Sequence, residues 1–168
     1  MNKSAELRVG SLGEVRVSPE VPTKTYWVQV FTPKTWERFV DYGARVTGFR
    51  DLRWKHIQKL KPGDYLLCYL SGLSKWIGVL EVESDPYLDT TRIWDEDLFP
   101  CRVNVRLLTN LNLDNAVPIK ELSDRLSIFR TKKWSLYLIS SPAKWQAEDG
   151  EIVLDAVVRA QQNPNESR

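Results

Sequence analysis

The stretch that most limits the fold is YLLCYLSGLSKWIGVLEV, residues 65–82. Tyr65, Leu67 and Tyr69 alternate with Leu66, Cys68 and Leu70, so an extended chain here is apolar on both faces. A strand of that kind has to be covered on both sides. The SGLS segment predicts a turn, and WIGVLEV returns antiparallel with Gly78 marking a bulge or a close backbone approach. A lone hairpin cannot bury its own two faces. The rest of the chain must therefore supply further strands and something to lie over them.

The supply is visible. YWVQVF (26–31) is rich in aromatic and β-branched residues and reads as a strand. CRVNVRLL (101–108) alternates, with Val103, Val105 and Leu107 facing in and Arg102, Asn104 and Arg106 facing out. WSLYLIS (134–140) is a further predicted strand. Helices are predicted between them. TPKTWERFVDYG opens on a capping Thr32 and a first-turn Pro33, carries a Trp36, Phe39, Val40 stripe and closes at Gly43. DLRWKHIQKL (51–60) predicts a short helix with Leu52, Ile57 and Leu60 inward, followed by the Pro-Gly turn KPGD (61–64). VPIKELSDRL (117–126) and DGEIVLDAVVRAQ (149–161) predict two more. Short strands without long crossover helices give the α+β class: a curved mixed sheet or open β-barrel flanked by short helices. The expected organisation is an N-terminal extension over 1–24 with a possible edge strand at Val15 and Val17, one domain over 25–158, and a flexible tail over 159–168. ESDPYLDTTRIWDEDLFP (83–100) reads as a long acidic connection.

Chemistry is limited by what is missing. The sequence holds no phosphate-binding glycine loop, dinucleotide fingerprint or nucleophile elbow. It has one histidine and two cysteines, Cys68 and Cys101, without metal spacing. The expectation is a non-enzyme with no cofactor and no metal; the acidic run of 83–100 reads as a solvated loop. Reduced cysteines, and no apolar leader or membrane-length segment, point to the cytoplasm. Charge is informative locally. Residues 26–80 hold nine Lys or Arg against four acids, a local +5 in a chain whose net charge is +2. Such a patch fits either a polyanion partner or a solvated face. Within it, TGFRDLRWKHIQ (47–58) sets Phe49 and Trp54 among Arg50, Arg53, Lys55 and His56, in a chain with seven tryptophans. A ring of this kind can stack a base while neighbouring cations hold phosphates.

The order and spacing of YWVQVF, TWERF, KPGDYLLCYLSG, WIGVLEV, the Tyr-x-Asp-x-x-x-x-Trp stretch (87–94) and the Pro-x-Arg-Val strand (100–103) resemble an EVE domain of the PUA-like superfamily, over roughly residues 25–158. EVE domains are similar to YTH domains, which bind a methylated adenine in RNA. The resemblance implies a non-catalytic nucleic-acid-binding module that takes a flipped, modified base into an aromatic pocket. Its partner would be DNA or RNA with a modified base, beside restriction or RNA-modification machinery. One wall falls on Gly48, Phe49 and Arg50 with Trp54, and the other on the segment Tyr87 to Trp94. Phe49 and Arg50 stand where YTH domains typically carry Trp and Ser. Phosphate contacts are expected from Arg50, Arg53, Lys55 and Lys75. Other readings remain open: a PUA-like binder of structured RNA without a modified base, an ASCH-like small hydrolase, and a protein-interaction module.

Overall fold

A computed structural model describes residues 24–163. The possible strand at Val15 and Val17 lies outside the described residues. Strand β1 (Tyr26–Phe31) leads into helix α1 (Pro33–Asp41), where the Thr32 and Thr35 side chains cap one another's backbone N–H groups. Strand β2 (Val46–Phe49) follows, then a 3₁₀ turn (Asp51–Arg53) and the single-turn helix α2 (Trp54–Ile57). Next come β3 (Tyr65–Leu70), β4 (Lys75–Val82), the two-residue β5 (Tyr87–Leu88), the long β6 (Cys101–Asn110) and β7 (Val117–Pro118). Three 3₁₀ turns precede β8 (Ala143–Trp145), and α3 (Ala147–Gln162) closes the fold.

The strands form one mixed sheet in the order β2-β6-β4-β3-β1-β8, with β5 added to β6 and β7 to β4. Among the described residues only β1 and β3 run parallel. The sheet curls into a half-barrel, which accounts for the doubly apolar β3. One of its faces lines the interior and the other is covered by helices, so Leu66, Leu67, Cys68 and Leu70 are fully buried. Gly78 is the close approach its sequence suggested. A Cβ there would fall 2.5 Å from the Thr109 carbonyl and 3.1 Å from the Trp36 ring.

Three sequence expectations are corrected. Residues 134–138 form a 3₁₀ turn rather than a strand, and β8 is the neighbour of β1 instead. Leu136, Tyr137 and Ile139 are exposed, so this apolar run has no second strand to pair with. Residues 117–126 begin as β7 and continue in a 3₁₀ turn, because Val117 completes the ladder with Trp76. Leu52 is 89% exposed, not inward. The 3₁₀ turn that carries it runs at three residues per turn and shifts its phase against α2, whose Ile57 is buried. Strand β2 was not anticipated. The C-terminal helix continues to Gln162, through the first residues of the expected tail.

Candidate nucleic-acid interface

The two sides of the curled sheet meet without a backbone ladder where β2 approaches β1. Side chains bridge this seam. Gln29 is buried on β1, and its Nε2 donates to Thr47 Oγ1 at 2.6 Å and to the Gly48 carbonyl at 3.3 Å. A carbonyl only accepts, so this contact fixes which end of the amide faces β2. The Gln29 Oε1 is buried with no hydrogen-bond partner among the described residues. The Val30 N–H, one residue on, donates to Ser141 Oγ at 3.1 Å. Next to Ser141, the Pro142 carbonyl accepts from Arg53 Nη2 at 3.1 Å.

His56 joins the same neighbourhood. Its ring stands edge-on to Trp27 at 5.6 Å, while the Trp27 N–H donates to Asp64. The Pro142 carbonyl favours the charged form of this imidazole. The ring Nε2 is buried with no hydrogen-bond partner among the described residues. Burial lowers the His56 pKa, with Arg53 and Lys59 adding to the effect, which favours the neutral ring. Arg53 Nε is likewise buried and unpartnered. Three of the four orphaned buried side-chain atoms among the described residues therefore sit on Gln29, Arg53 and His56; the fourth is Trp76 Nε1. Buried polar atoms are normally satisfied, by ordered water where no protein group reaches them, so these three call for a further hydrogen-bonding partner.

The expected aromatic walls are arranged differently. Phe49 and Trp94 are both buried rather than open to solvent. A Cβ on Gly48 would meet the Phe99 carbonyl at 2.5 Å and Trp94 Cζ3 at 3.1 Å, so Trp94 lies on the Gly48 face of β2. Side chains alternate along a strand, so Phe49 points to the opposite face, with Thr47. Trp94 is held in place by its indole N–H, which donates to the Thr35 carbonyl at 3.1 Å, and by edge-on packing against Phe99.

Arg102 explains this arrangement. It faces outward as the alternation predicts, yet its side chain is only 1% exposed because residues 89–100 fold over it. Its guanidinium donates to the carbonyls of Phe99, Leu98 and Thr91, approaches Asp89 at 3.6 Å and lies over the Trp94 ring. Phe99 adopts a left-handed backbone at the turn of this loop. The acidic connection is thus wrapped around one buried cation. Tyr87 is half-buried and donates to Asn104 Oδ1 at 2.6 Å, on the same outer surface.

Trp54 is half-buried and packed against the core, next in sequence to Arg53, whose side chain reaches Pro142. Arg50 and Lys55 are exposed, with no ion pair among the described residues. Lys75 stands apart on the β3–β4 hairpin and donates to the Leu113 carbonyl at 3.4 Å. An open cleft of about 580 Å³ lies on the outer surface beside Arg45, Asn104 and Arg106, where Arg106 is engaged by Glu81 and Glu83. Both cysteines are buried, and burial raises each thiol's pKa, so neither supplies a thiolate near neutrality. Among the described residues no helix is long and apolar enough to cross a membrane.

Sequence reasoning missed Gln29, Thr47, Pro142 and the role of Arg102. A signal existed for Gln29, the one amide in an otherwise apolar strand. None existed for Pro142, which reaches the seam only because β8 pairs with β1.

Comparison with known proteins agrees with this architecture. The UPF0310 protein PYRAB08750 of Pyrococcus abyssi is 25% identical over 147 residues, covering 80% of this chain and 99% of its own. The Mmi1 YTH domain in complex with RNA superposes with a TM-score of 0.63 at 13% identity, covering 84% of this chain and 82% of that one. Protein Atu2648 of Agrobacterium tumefaciens gives 0.52 at 22% identity, covering 86% and 99%. At these identities the structural likenesses concern the fold. The sequence profile of the EVE domain matches residues 25–153, most of the chain, and the chain therefore belongs to the EVE domain family.

Proposed function

We propose that this EVE domain is a non-catalytic nucleic-acid-binding module that holds one unstacked, modified base at the β1–β2 seam. The carrying observation is the set of buried side-chain atoms without a partner there: the acceptor Gln29 Oε1, the donor Arg53 Nε and the ring nitrogen His56 Nε2. A base edge presents both donors and acceptors, and satisfying buried polar groups is where specificity arises. Trp54 offers the stacking face, and Arg50 and Lys55 offer phosphate contacts beside it. The shared fold of an RNA-bound YTH domain supports the same reading. Preference for a methylated base comes from the fit of an apolar wall, because one methyl group contributes only about 1 kcal/mol.

The test is titration of labelled single-stranded oligonucleotides, methylated and unmethylated, by fluorescence anisotropy. Stacking contributes about 1–3 kcal/mol per base, so Trp54→Ala should weaken binding roughly tenfold or more. Gln29→Leu should weaken it by a similar factor and reduce discrimination between bases. Residual salt-sensitive binding should persist in both. Wild-type affinity in both folded variants would refute the seam as the binding site. Equal affinity for methylated and unmethylated strands across the common base modifications would remove the modified-base part.

A further inference from the structure

Leu52 is the most exposed large apolar side chain among the described residues. A single surface leucine needs no explanation in general. This one is distinguished by what holds it and what surrounds it. It sits at the tip of the 3₁₀ turn Asp51–Arg53, closed by the Arg53 N–H to Arg50 carbonyl bond at 3.0 Å. The turn is anchored on one side by Arg53 to Pro142, and on the other by the fully buried Ile57 of α2. Leu52 is thus an apolar point on a fixed support. Arg50, Arg53, Lys55, Lys59 and Lys61 lie within nine residues of it, against the single acid Asp51. It is also four residues from Gly48, whose carbonyl belongs to the seam. The segment bonded to this turn through Pro142 exposes further apolar groups, Leu136 and Ile139.

We propose that Leu52 is a wedge: it enters the base stack of a nucleic-acid duplex and fills the space left by the base drawn into the seam. The inference rests on the proposed function and extends it, by naming duplex as the form from which the base is taken. Apolar side chains inserted between base steps are a general means of stabilising unstacked duplex, and leucine is among the residues so used. The surrounding cations select a polyanion over an apolar protein surface. Extruding a paired base is costly, whereas an unpaired strand has no stack to break. The wedge therefore acts on duplex alone.

The experiment uses the full chain with a short duplex carrying one 2-aminopurine, and the same strand unpaired. Leu52→Ala should weaken duplex binding about tenfold and abolish the rise in 2-aminopurine fluorescence, while leaving single-strand affinity unchanged. Leu52→Met should restore both duplex readouts, and Leu52→Gln should not. Undiminished duplex binding and fluorescence by Leu52→Ala would overturn the wedge, as would equal losses on both forms. Folding does not confound the test, since the side chain is almost wholly in solvent. If wild type binds the single strand but duplex binding ignores Leu52, the wedge fails and the seam reading stands. If wild type binds neither form, both fail.

Discussion

Arg102 carries a full charge inside the protein, and three backbone carbonyls plus Asp89 surround it. Removing it orphans those acceptors, each at a cost of about 1–3 kcal/mol. Arg102→Ala is therefore expected to destabilise by several kcal/mol in urea unfolding, and to free Trp94 from its packed environment as seen by tryptophan fluorescence. Arg102→Lys keeps the charge but not the planar fork, and should fall between. His56 makes a separate prediction. Burial depresses its pKa in the folded protein, below the ordinary value near 6.5. A depressed pKa means stability is complete above the unfolded value and declines as pH falls from it toward the folded value. It is the chain's one histidine. Unfolding free energies measured between about pH 8 and about pH 5 should decline below about 6.5 in wild type, and His56→Phe should flatten that slope.

At the scale of elements, two glycines set how closely layers approach. Alanine in a helix interior is ordinarily better than glycine by up to about 1 kcal/mol. Gly150 lies in the first turn of α3, but a Cβ there would fall 2.3 Å from Tyr26 Cγ on β1. Packing reverses the propensity: Gly150→Ala should lower the melting temperature, because α3 must lift from the sheet. Gly48→Ala should do the same to the loop over β2, where the obstructing Phe99 carbonyl is backbone and cannot rotate away. Forced overpacking of this kind costs about 1–3 kcal/mol. Gly48 also gives its carbonyl to Gln29, so a displaced β2 should weaken oligonucleotide binding along with stability. Helix α1 and the central strands are legible in the sequence because their periodicity is local: Trp36 and Phe39 for α1, Val103 and Val105 for β6. The 134–140 run was misread because alternation alone does not say whether a pairing edge is free, and β8 already occupies β1.

For the whole molecule, net charge is small and the cations around residues 50–61 dominate one region. Each phosphate contact with a single strand contributes about 0.7 to the slope of log affinity against log salt. Arg50→Glu and Lys55→Glu should each weaken all oligonucleotides alike and reduce that slope by about one contact's worth. Lys75→Glu should change neither, given its place beside Leu113 on the β3–β4 hairpin. A titration over a range of salt concentrations distinguishes the two groups.

The division between chain and fold follows range. Residues 65–82 by themselves required a doubly covered strand pair, since apolar groups on both faces leave no solvated side. The sequence likewise determined the capped α1, the amphipathic β6 and the local excess of positive charge. Tertiary structure alone decided that the 89–100 loop closes over Arg102, which turned Trp94 from a free ring into a buried one with its N–H on Thr35. It alone set Gln29, Thr47, Arg53, His56 and Pro142 around one seam, drawn from segments more than a hundred residues apart. Such contacts depend on how far the sheet curls before its edges meet, and no local pattern in the chain records that distance.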